Sequence, residues 1–471
     1  MKILIAGSGP SAYAALLKLT TIPNIEITVL DNSSRFNDNF NDCIFEKNFD
    51  TGNRIPRDLN IYDKSNLKSK ELGPYSSKIF GGYSNVWGGT AFPPSNIEKS
   101  IYDELEINIL KYFDIIKENI SFFSNSNSTK SFININLTNR EKKILDNLNN
   151  ENIKSYNSLI CINENNPYLN NKNEICSNCK SFKWSCKNDT IWSTKNSINK
   201  LIEKEKISYI NNAKLVSFNE NSDAMVSCLI KKSNEFYEEE FDKIFLACGP
   251  INTSKIVMNS TKINKLKIKT CDMLSIPYLI PSFGKVKKHS FADVFSYFKD
   301  DNFEIFIQIY GFSKSLLKLA SNVLPLTNLV SYFPSNLLSV FGGMFVYLDQ
   351  DHSSKIIVTK ENKNLIISFE EAINNNKGIY KKLNKTLRGG GVYPIHLLSK
   401  KFDFGKSNHY GAQFAHSKKS TEISSDRTGR ILDLKNTHII DSSVLPRVNV
   451  GPVTLTTMAN SYRIVEEIFD I

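Results

Sequence analysis

The sequence predicts an α/β protein, α+β overall, with a Rossmann-like domain on a parallel sheet and a second domain on an antiparallel sheet. Three observations carry that prediction. An apolar run, KILIA at 2–6, leads into Gly7-Ser8-Gly9-Pro10-Ser11-Ala12 and then into the helix-periodic SAYAALLKL. A second apolar run, IEITVL at 25–30, ends on Asp31. Far downstream, residues 288–360 hold four strand-like stretches, FADVFSYF, FEIFIQIYGF, GGMFVYLDQ and KIIVTK.

The first stretch has a specific physical use. Gly7 allows a tight turn, and Gly9 lets a pyrophosphate approach the backbone. Pro10 and Ser11 open the helix, and Ala12, in place of a third glycine, lets it pack close to the sheet. The helix N-terminus offers free N–H groups and partial positive charge to a phosphate. Asp31 is placed to accept hydrogen bonds from a ribose. Strand, turn, helix, strand and acid together predict a bound dinucleotide, without choosing between NAD and FAD.

Composition sets the bounds. The 471 residues suffice for two or three domain-sized units, and 41% hydrophobic with 23% charged residues reads as a soluble globular chain. The net charge is +11, but the lysines are scattered, with no long basic run and no nucleic-acid module. Nucleic acid is therefore not an expected partner; a solvated basic surface and an anionic partner both stay open. MKILIAGSGP reads as a buried strand rather than a signal peptide. No stretch reaches the roughly 18–20 apolar residues of a membrane span. Eight cysteines in this length are no disulfide scaffold, so the expected location is cytoplasmic.

A second glycine loop, KIFGGYSNVWGGTAFPP at 78–94, brackets Asn85 and Trp87 with Gly81, Gly82, Gly88 and Gly89. Residues 241–250, FDKIFLACGP, form a strand ending at Gly249-Pro250, and INTSKIVMNS begins a helix. A hairpin is expected around 207–242, before them. THIIDSSVLPRVNVGPVTLTTMANSYRIVEEI then runs strand, loop, helix, with Asp441 at the strand end and Thr454 near the helix start.

Four motifs in order resemble the glucose-methanol-choline (GMC) type FAD-dependent oxidoreductases. They are the N-terminal fingerprint with Asp31, GGYSNVWGG at 81–89, FLACGPINTSKIV at 245–257, and HYGA…IIDSSVLP…VTLTTMAN at 409–460. The NVWGG form is similar to a bacterial saccharide-oxidising branch. The resemblance implies that the second glycine loop lies along FAD, with Gly81, Gly82 and Ser84 approaching it and Asn85 and Gly88 near the flavin ring. Trp87 either walls the ring or fills the core. Leu215 would face the adenine through its backbone, and Asp441 would hold the ribityl or diphosphate region. The helix opening at Val453 and Thr454 would aim its N-terminus at the flavin's pyrimidine edge, where reduced flavin gains negative charge.

By the same resemblance His409, in SNHYGAQ, would be the base that takes an alcohol proton as hydride leaves for flavin N5, with Ala412 where the family has Thr. His416 reads as structural or peripheral, His289 and His352 as loop residues. The family's second polar position falls on Gly451 or Pro452, which cannot do that work; Asn449 is the nearby candidate. CSNCKSFKWSC places Cys176, Cys179 and Cys186, with Cys161 upstream. Related proteins carry four cysteines in this region, and here the third falls on Phe182. The remaining set could hold an iron–sulfur cluster, or zinc with Cys161 as fourth ligand, or be a metal-free relic.

The implied activity is oxidation of a CH–OH group, of a sugar or polysaccharide precursor, a dehydrogenase rather than an oxidase, with the electron acceptor unassigned. The rivals are another reaction on the same frame, such as desaturation or isomerisation, a non-catalytic flavoprotein subunit, and a nicotinamide-dependent dehydrogenase. The expected domains are a discontinuous FAD-binding domain (1–110, 190–270, 405–471), a helical and loop insertion (111–189) with the cysteines, and a substrate domain (271–404). Residues 313–341 hold two amphipathic stretches broken at Pro325 and Pro334. They either pack on the sheet or offer an apolar face to a membrane surface or lipid-linked substrate.

Overall fold

The computed structural model describes residues 1–33, 45–47, 54–56, 59–61, 75–77, 79–85, 87–120, 132–151, 153–163, 191–220, 225–284, 287, 291–300, 303–313, 334–361, 364–372, 377–402, 405, 407–418, 421 and 423–469. Strands β1 (Lys2–Ala6) and β2 (Glu26–Leu30) run parallel, with Lys2 opposite Glu26 and Ala6 opposite Leu30. They form a five-stranded parallel sheet in the order Ser208–Ile210, β2, β1, Lys243–Leu246, Thr437–Ile439. β1 is a continuous apolar run, Ile3, Leu4 and Ile5 fully buried in a core that helices Pro10–Leu19 and Thr454–Phe469 and the strands Ala213–Glu220 and Val226–Lys232 share.

Helix α1 (Pro10–Leu19) starts with proline at its first position, where no N–H is missed. It is buried from Ser11 to Leu19 because it lies between the sheet and the C-terminal helix Thr454–Phe469. Ser461 Oγ there donates to the carbonyl of Ser11 at 2.7 Å. An all-round apolar helix is stable only in such a sandwich.

The second sheet is antiparallel and seven-stranded, in the order Tyr393–Pro394, Met273–Leu279, Phe341–Leu348, Phe303–Gly311, Val294–Asp300, Lys154–Asn157, with Lys400–Lys401 also paired to Met273–Leu279. Its central strands are apolar on both sides; Phe303–Gly311 is buried at every residue. One face, with Ile276, Ile305, Ile307 and Val346, packs on Ile144, Leu148, Leu383 and Leu387 of helices Asn139–Asn150 and Lys377–Gly389. The other carries Phe295, Tyr297, Phe306, Phe345 and Tyr347 and packs on Phe92 and Val450. That second face looks toward the glycine-loop segment and the loop before the C-terminal helix.

Two strand pairings cross the expected domain bounds. Lys154–Asn157, from the 111–189 insertion, is the edge strand of the antiparallel sheet. Lys355–Glu361 and Asn364–Glu370, placed with the substrate domain, join Lys265–Thr270 and Tyr410–Gly411 in a four-stranded sheet. Ile356, Val358 and Ile367 pack into the same core as the parallel sheet. The hairpin expected around 207–242 is a three-stranded meander, Ala213–Glu220, Val226–Lys232 and Glu235–Phe241. Among the described residues no helix is long and apolar enough to cross a membrane. Residues 314–333, most of the amphipathic 313–341 stretch, lie outside the described residues.

Candidate functional site

Two glycine loops meet at the C-terminal end of the parallel sheet. Gly7 has φ +107, and a Cβ there would collide with the carbonyl oxygen of Ala247 on the neighbouring strand. Gly81 and Gly82 also hold positive φ, +89 and +58. A Cβ on Gly82 would lie 3.4 Å from the Cα of Gly9, so the second loop rests on the first. Gly9 itself is different: its φ is −74 and a Cβ on it would meet nothing within 4 Å. Its glycine is not demanded by the protein's own packing, which leaves open space in front of it. The N-terminus of α1, with Gly9 as N-cap, has no side-chain cap. Pro10, Ser11 and Ala12 open that helix. The N-terminus of helix Pro250–Ser260, with Gly249 (φ +79) as N-cap, is likewise uncapped by its own N-cap residue. Uncapped helix starts and an open glycine suit a diphosphate.

Two residues that sequence reasoning did not single out tie these loops together. Ser8 donates its hydroxyl to Asp31 and accepts from the Gly81 N–H at 2.9 Å. Thr194, at the start of helix Thr194–Glu203, has its Oγ1 3.0 Å from the carbonyl oxygens of Ser8 and Gly81 and from the Ser84 hydroxyl. The Thr194 N–H donates to Ser84 Oγ at 3.0 Å. The only hint in the sequence is a run of Ser and Thr before a helix-periodic segment, a common capping pattern.

Asp31 ends β2, and its Oδ1 accepts from the Ser33 N–H at 2.7 Å. Burial pushes its carboxyl up to about 6, against the lowering effect of the Ser8 and Ser33 hydrogen bonds. Ser84 and Asn85 serve the loop itself: Ser84 Oγ donates to Gly81 O at 2.6 Å, and Asn85 Nδ2 donates to Phe80 O and Gly82 O. Trp87 donates to the Trp192 carbonyl at 2.8 Å, and their rings meet edge-on, so it fills core between the loop and the chain before helix Thr194–Glu203. Gly88 is half-buried, whereas Gly89 (φ +66) is wedged against Ile160, Cys161 and Ile191. Leu215 is buried where strand Ala213–Glu220 bulges and skips a register position. Asp441 is also buried, which raises its pKa; it accepts from the Gly249 N–H at 2.9 Å, Thr253 Oγ1 at 2.5 Å and the Ser443 N–H at 2.9 Å. It thus sets the entry of helix Pro250–Ser260.

The aromatic face of the antiparallel sheet supplies the other wall. His409 is half-buried and stacks on Tyr347, with centroids 4.7 Å apart and planes at 13°. Its backbone is held by the Cys271 N–H, which donates to His409 O at 2.9 Å. The flanking conformation is special: Asn408 and Ala412 have φ +60 and +54. Asn449 is buried, donating from Nδ2 to Thr456 Oγ1 at 2.8 Å, while its Oδ1 has no partner among the described residues. The Val450 N–H donates to Glu98 Oε1 at 2.6 Å, pinning the loop before the C-terminal helix. Burial, with the neighbouring Glu304, pushes Glu98 up to about 8. Val453 and Thr454 are half-buried at that helix start.

His416 and His438 serve structure, and His289 lies outside the described residues. His416 holds Asp426 O at 2.7 Å through Nδ1 and faces Asn460 and Arg463 through Nε2. His438 stacks on Phe245 and bonds Thr428 O at 2.9 Å. Cys176, Cys179 and Cys186 lie outside the described residues. Cys161 is fully buried, its N–H donating to Gly89 O at 2.7 Å. Among the described residues no group of three or more His, Cys, Asp or Glu side chains could hold a metal, so an iron–sulfur or zinc site finds no support there.

No protein-family model matches the chain, and no curated protein matches it in sequence. Solved structures do match it in three dimensions. Pyridoxine 4-oxidase from Mesorbium loti superposes with a TM-score of 0.60 at 10% identity, covering 100% of this chain and 99% of that one. An FAD-dependent oxidoreductase from Chaetomium thermophilum, in complex with a butanamide fragment, gives 0.62 at 11% identity, with 99% of each chain covered. Over essentially its whole length, the chain has the α/β fold of these two proteins.

Proposed function

We propose that the protein is an FAD-dependent oxidoreductase that oxidises a CH–OH group, with His409 as the base. The observation that carries this reading is the contact between two glycine loops, Gly82 against Gly9, beside an uncapped helix start, in a fold shared with an FAD-dependent oxidoreductase. The residues fit the cofactor: the open face of Gly9 and the start of α1 would take the diphosphate, and Asp31 the adenosine ribose. The loop Gly81–Asn85 is stapled from behind by Ser8, Thr194 and Ser84, leaving its outer side for the ring system.

Bound FAD would supply hydride acceptance at its N5, with the substrate's hydroxyl proton leaving to a base. His409 suits that proton, since an imidazole titrates near neutrality. Tyr347 fixes the imidazole plane by stacking, and Cys271 fixes its backbone. The aromatic face around Phe92, Phe306 and Tyr347 excludes water from the reacting atoms. The C-terminal helix start, held by Glu98 through Val450, would stabilise negative charge placed before it. The proposed substrate is a sugar or saccharide precursor and the proposed class a dehydrogenase.

The test is a visible spectrum of protein purified without oxygen, followed by titration with FAD. A bound flavin spectrum bleached by an alcohol supports the reading. A chain that takes up no FAD overturns it. A flavin bleached equally fast by the alcohol in His409→Ala would remove His409 from the proton transfer.

A further inference from the structure

Residues 377–401 hold six lysines and one arginine but no aspartate or glutamate, in a chain whose net charge is +11. The fold turns that segment into a surface. Helix Lys377–Gly389 buries Leu383 and Leu387 on the antiparallel sheet, which leaves Lys381, Lys385 and Arg388, at i, i+4 and i+7, exposed along one stripe. The chain returns as the short strands Tyr393–Pro394 and Lys400–Lys401, both paired to Met273–Leu279 at the edge of the sheet. Between helix and edge lies an open groove of about 900 Å³, lined by Leu274 and Ile276 from the sheet and by Lys381, Lys385, Arg388 and His396.

Few acids answer these cations. Asp300 takes Lys382 at 2.7 Å, and buried Asp272 takes Lys401 at 3.3 Å. Glu151 lies against Gly389 at the end of the helix. Lys381, Lys385, Arg388 and Lys400 make no ion pair among the described residues. Beside them stands an apolar side chain with nothing over it: Leu397 is 95% exposed. It does not sit on a loose stretch of chain. The Leu398 N–H donates to Ile395 O at 3.1 Å and the Ser399 N–H to His396 O at 3.0 Å, and His396 Nε2 meets Asn384 Oδ1 at 2.6 Å, tying the turn to the helix. Tyr393, 42% exposed, lies on the same edge.

A leucine held outward by a closed turn gains only when something apolar covers it. Unpaired cations around it match a surface that is negative outside and apolar beneath, which is an anionic bilayer. A nucleic acid would match the charge and leave the leucine uncovered. We propose that segment 377–401 docks the protein on an anionic phospholipid surface, with Lys381, Lys385 and Arg388 against the headgroups and Leu397 inserted beneath them. The helix covers the sheet face opposite the aromatic one, so docking leaves the His409 side of the sheet free. The proposal needs neither FAD nor the oxidation reading.

The experiment sediments the purified protein with phosphatidylcholine vesicles that contain phosphatidylglycerol, and with vesicles of phosphatidylcholine alone. The wild type should bind the anionic vesicles, more weakly as salt rises, and leave the neutral ones. Joint Lys381→Gln and Lys385→Gln should lower affinity about twentyfold, and Leu397→Asn about tenfold or more. Joint Lys204→Gln and Lys206→Gln removes two exposed charges beside strand Ser208–Ile210 instead, and should change affinity by less than about twofold. All three variants alter exposed side chains only. A wild type that ignores anionic vesicles, or binds both kinds alike, overturns the proposal. So does a Lys204 and Lys206 variant as weak as the Lys381 and Lys385 one, since net charge alone would then be at work. Leu397→Asn binding as tightly as wild type also overturns it, and points to a contact of charge alone, such as an acidic protein would make.

Discussion

Gly82 rests on Gly9, its missing Cβ only 3.4 Å from the Gly9 Cα. The contact joins two loops more than seventy residues apart and makes one continuous glycine surface. The glycines on it are required for different reasons, and that difference can be measured.

Gly9→Ala should leave the fold alone. Its φ of −74 suits alanine and nothing lies within 4 Å of the added methyl. The melting point of the FAD-free variant should match the wild type, while FAD affinity falls about tenfold or more as the methyl fills diphosphate space. Gly7→Ala is the contrast: φ +107 and the Ala247 carbonyl together predict about 2–4 kcal/mol of lost stability even without FAD. Denaturant melts of FAD-free protein separate the two. Equal FAD affinity in Gly9→Ala and wild type would argue against a cofactor at this surface.

Thr194→Val keeps the shape of the side chain and removes the hydroxyl that lies 3.0 Å from Ser8 O and Gly81 O. The loss leaves two buried carbonyls with one partner fewer, a cost of about 1–2 kcal/mol. The loops should then loosen relative to each other. FAD affinity should drop several-fold, with faster hydrogen exchange at Gly81 and Gly82. Exchange unchanged at those amides would show that the Ser8 hydroxyl alone holds the loop.

The first glycine loop was legible because local sequence determines it: apolar strand, turn, helix and acid lie within the first 31 residues. The aromatic face near His409 was legible only as strands. Which of Phe295, Tyr297, Phe306 and Tyr347 face the site depends on register with strands far along the chain, and a one-residue slip would reverse it. Ser8 and Thr194 were missed for a similar reason, since their partners lie 73 and 186 residues away. The strands at 355–370 carry no mark in the sequence of which core they join, yet Ile356, Val358 and Ile367 pack with the parallel sheet.

His409→Gln retains a hydrogen-bonding side chain of similar reach and removes the titratable imidazole. FAD should still bind, because no cofactor-cradle residue is touched. Bleaching by the best donor should slow by about a hundredfold or more, the usual worth of a general base. Tyr347→Leu should slow it less, about tenfold, by freeing the imidazole plane that the 4.7 Å stack now fixes. Stopped-flow bleaching of the two variants checks both. Equal rates in His409→Gln and wild type would remove His409 from the chemistry.

Acid should unfold this protein through its buried histidines. Burial, with Arg463 nearby, holds His416 down to about 3, and burial with Lys243 and Arg430 does the same to His438, again to about 3. Both are neutral in the folded chain at any pH above that. In the unfolded chain they titrate near 6.5. Between those values the unfolded state binds protons that the folded state refuses, so stability falls as pH drops from about 6.5 toward 3 and is unaffected by these groups above 6.5. Each histidine adds a slope of up to about 1.4 kcal/mol per pH unit inside the window. His438→Asn keeps a donor for the Thr428 carbonyl and removes one titrating group. It should cost some stability near neutral pH yet lower the slope by that single-histidine amount. Urea unfolding at several pH values across the window measures it, and a variant whose slope equals the wild type would show that His438 takes up no proton on unfolding.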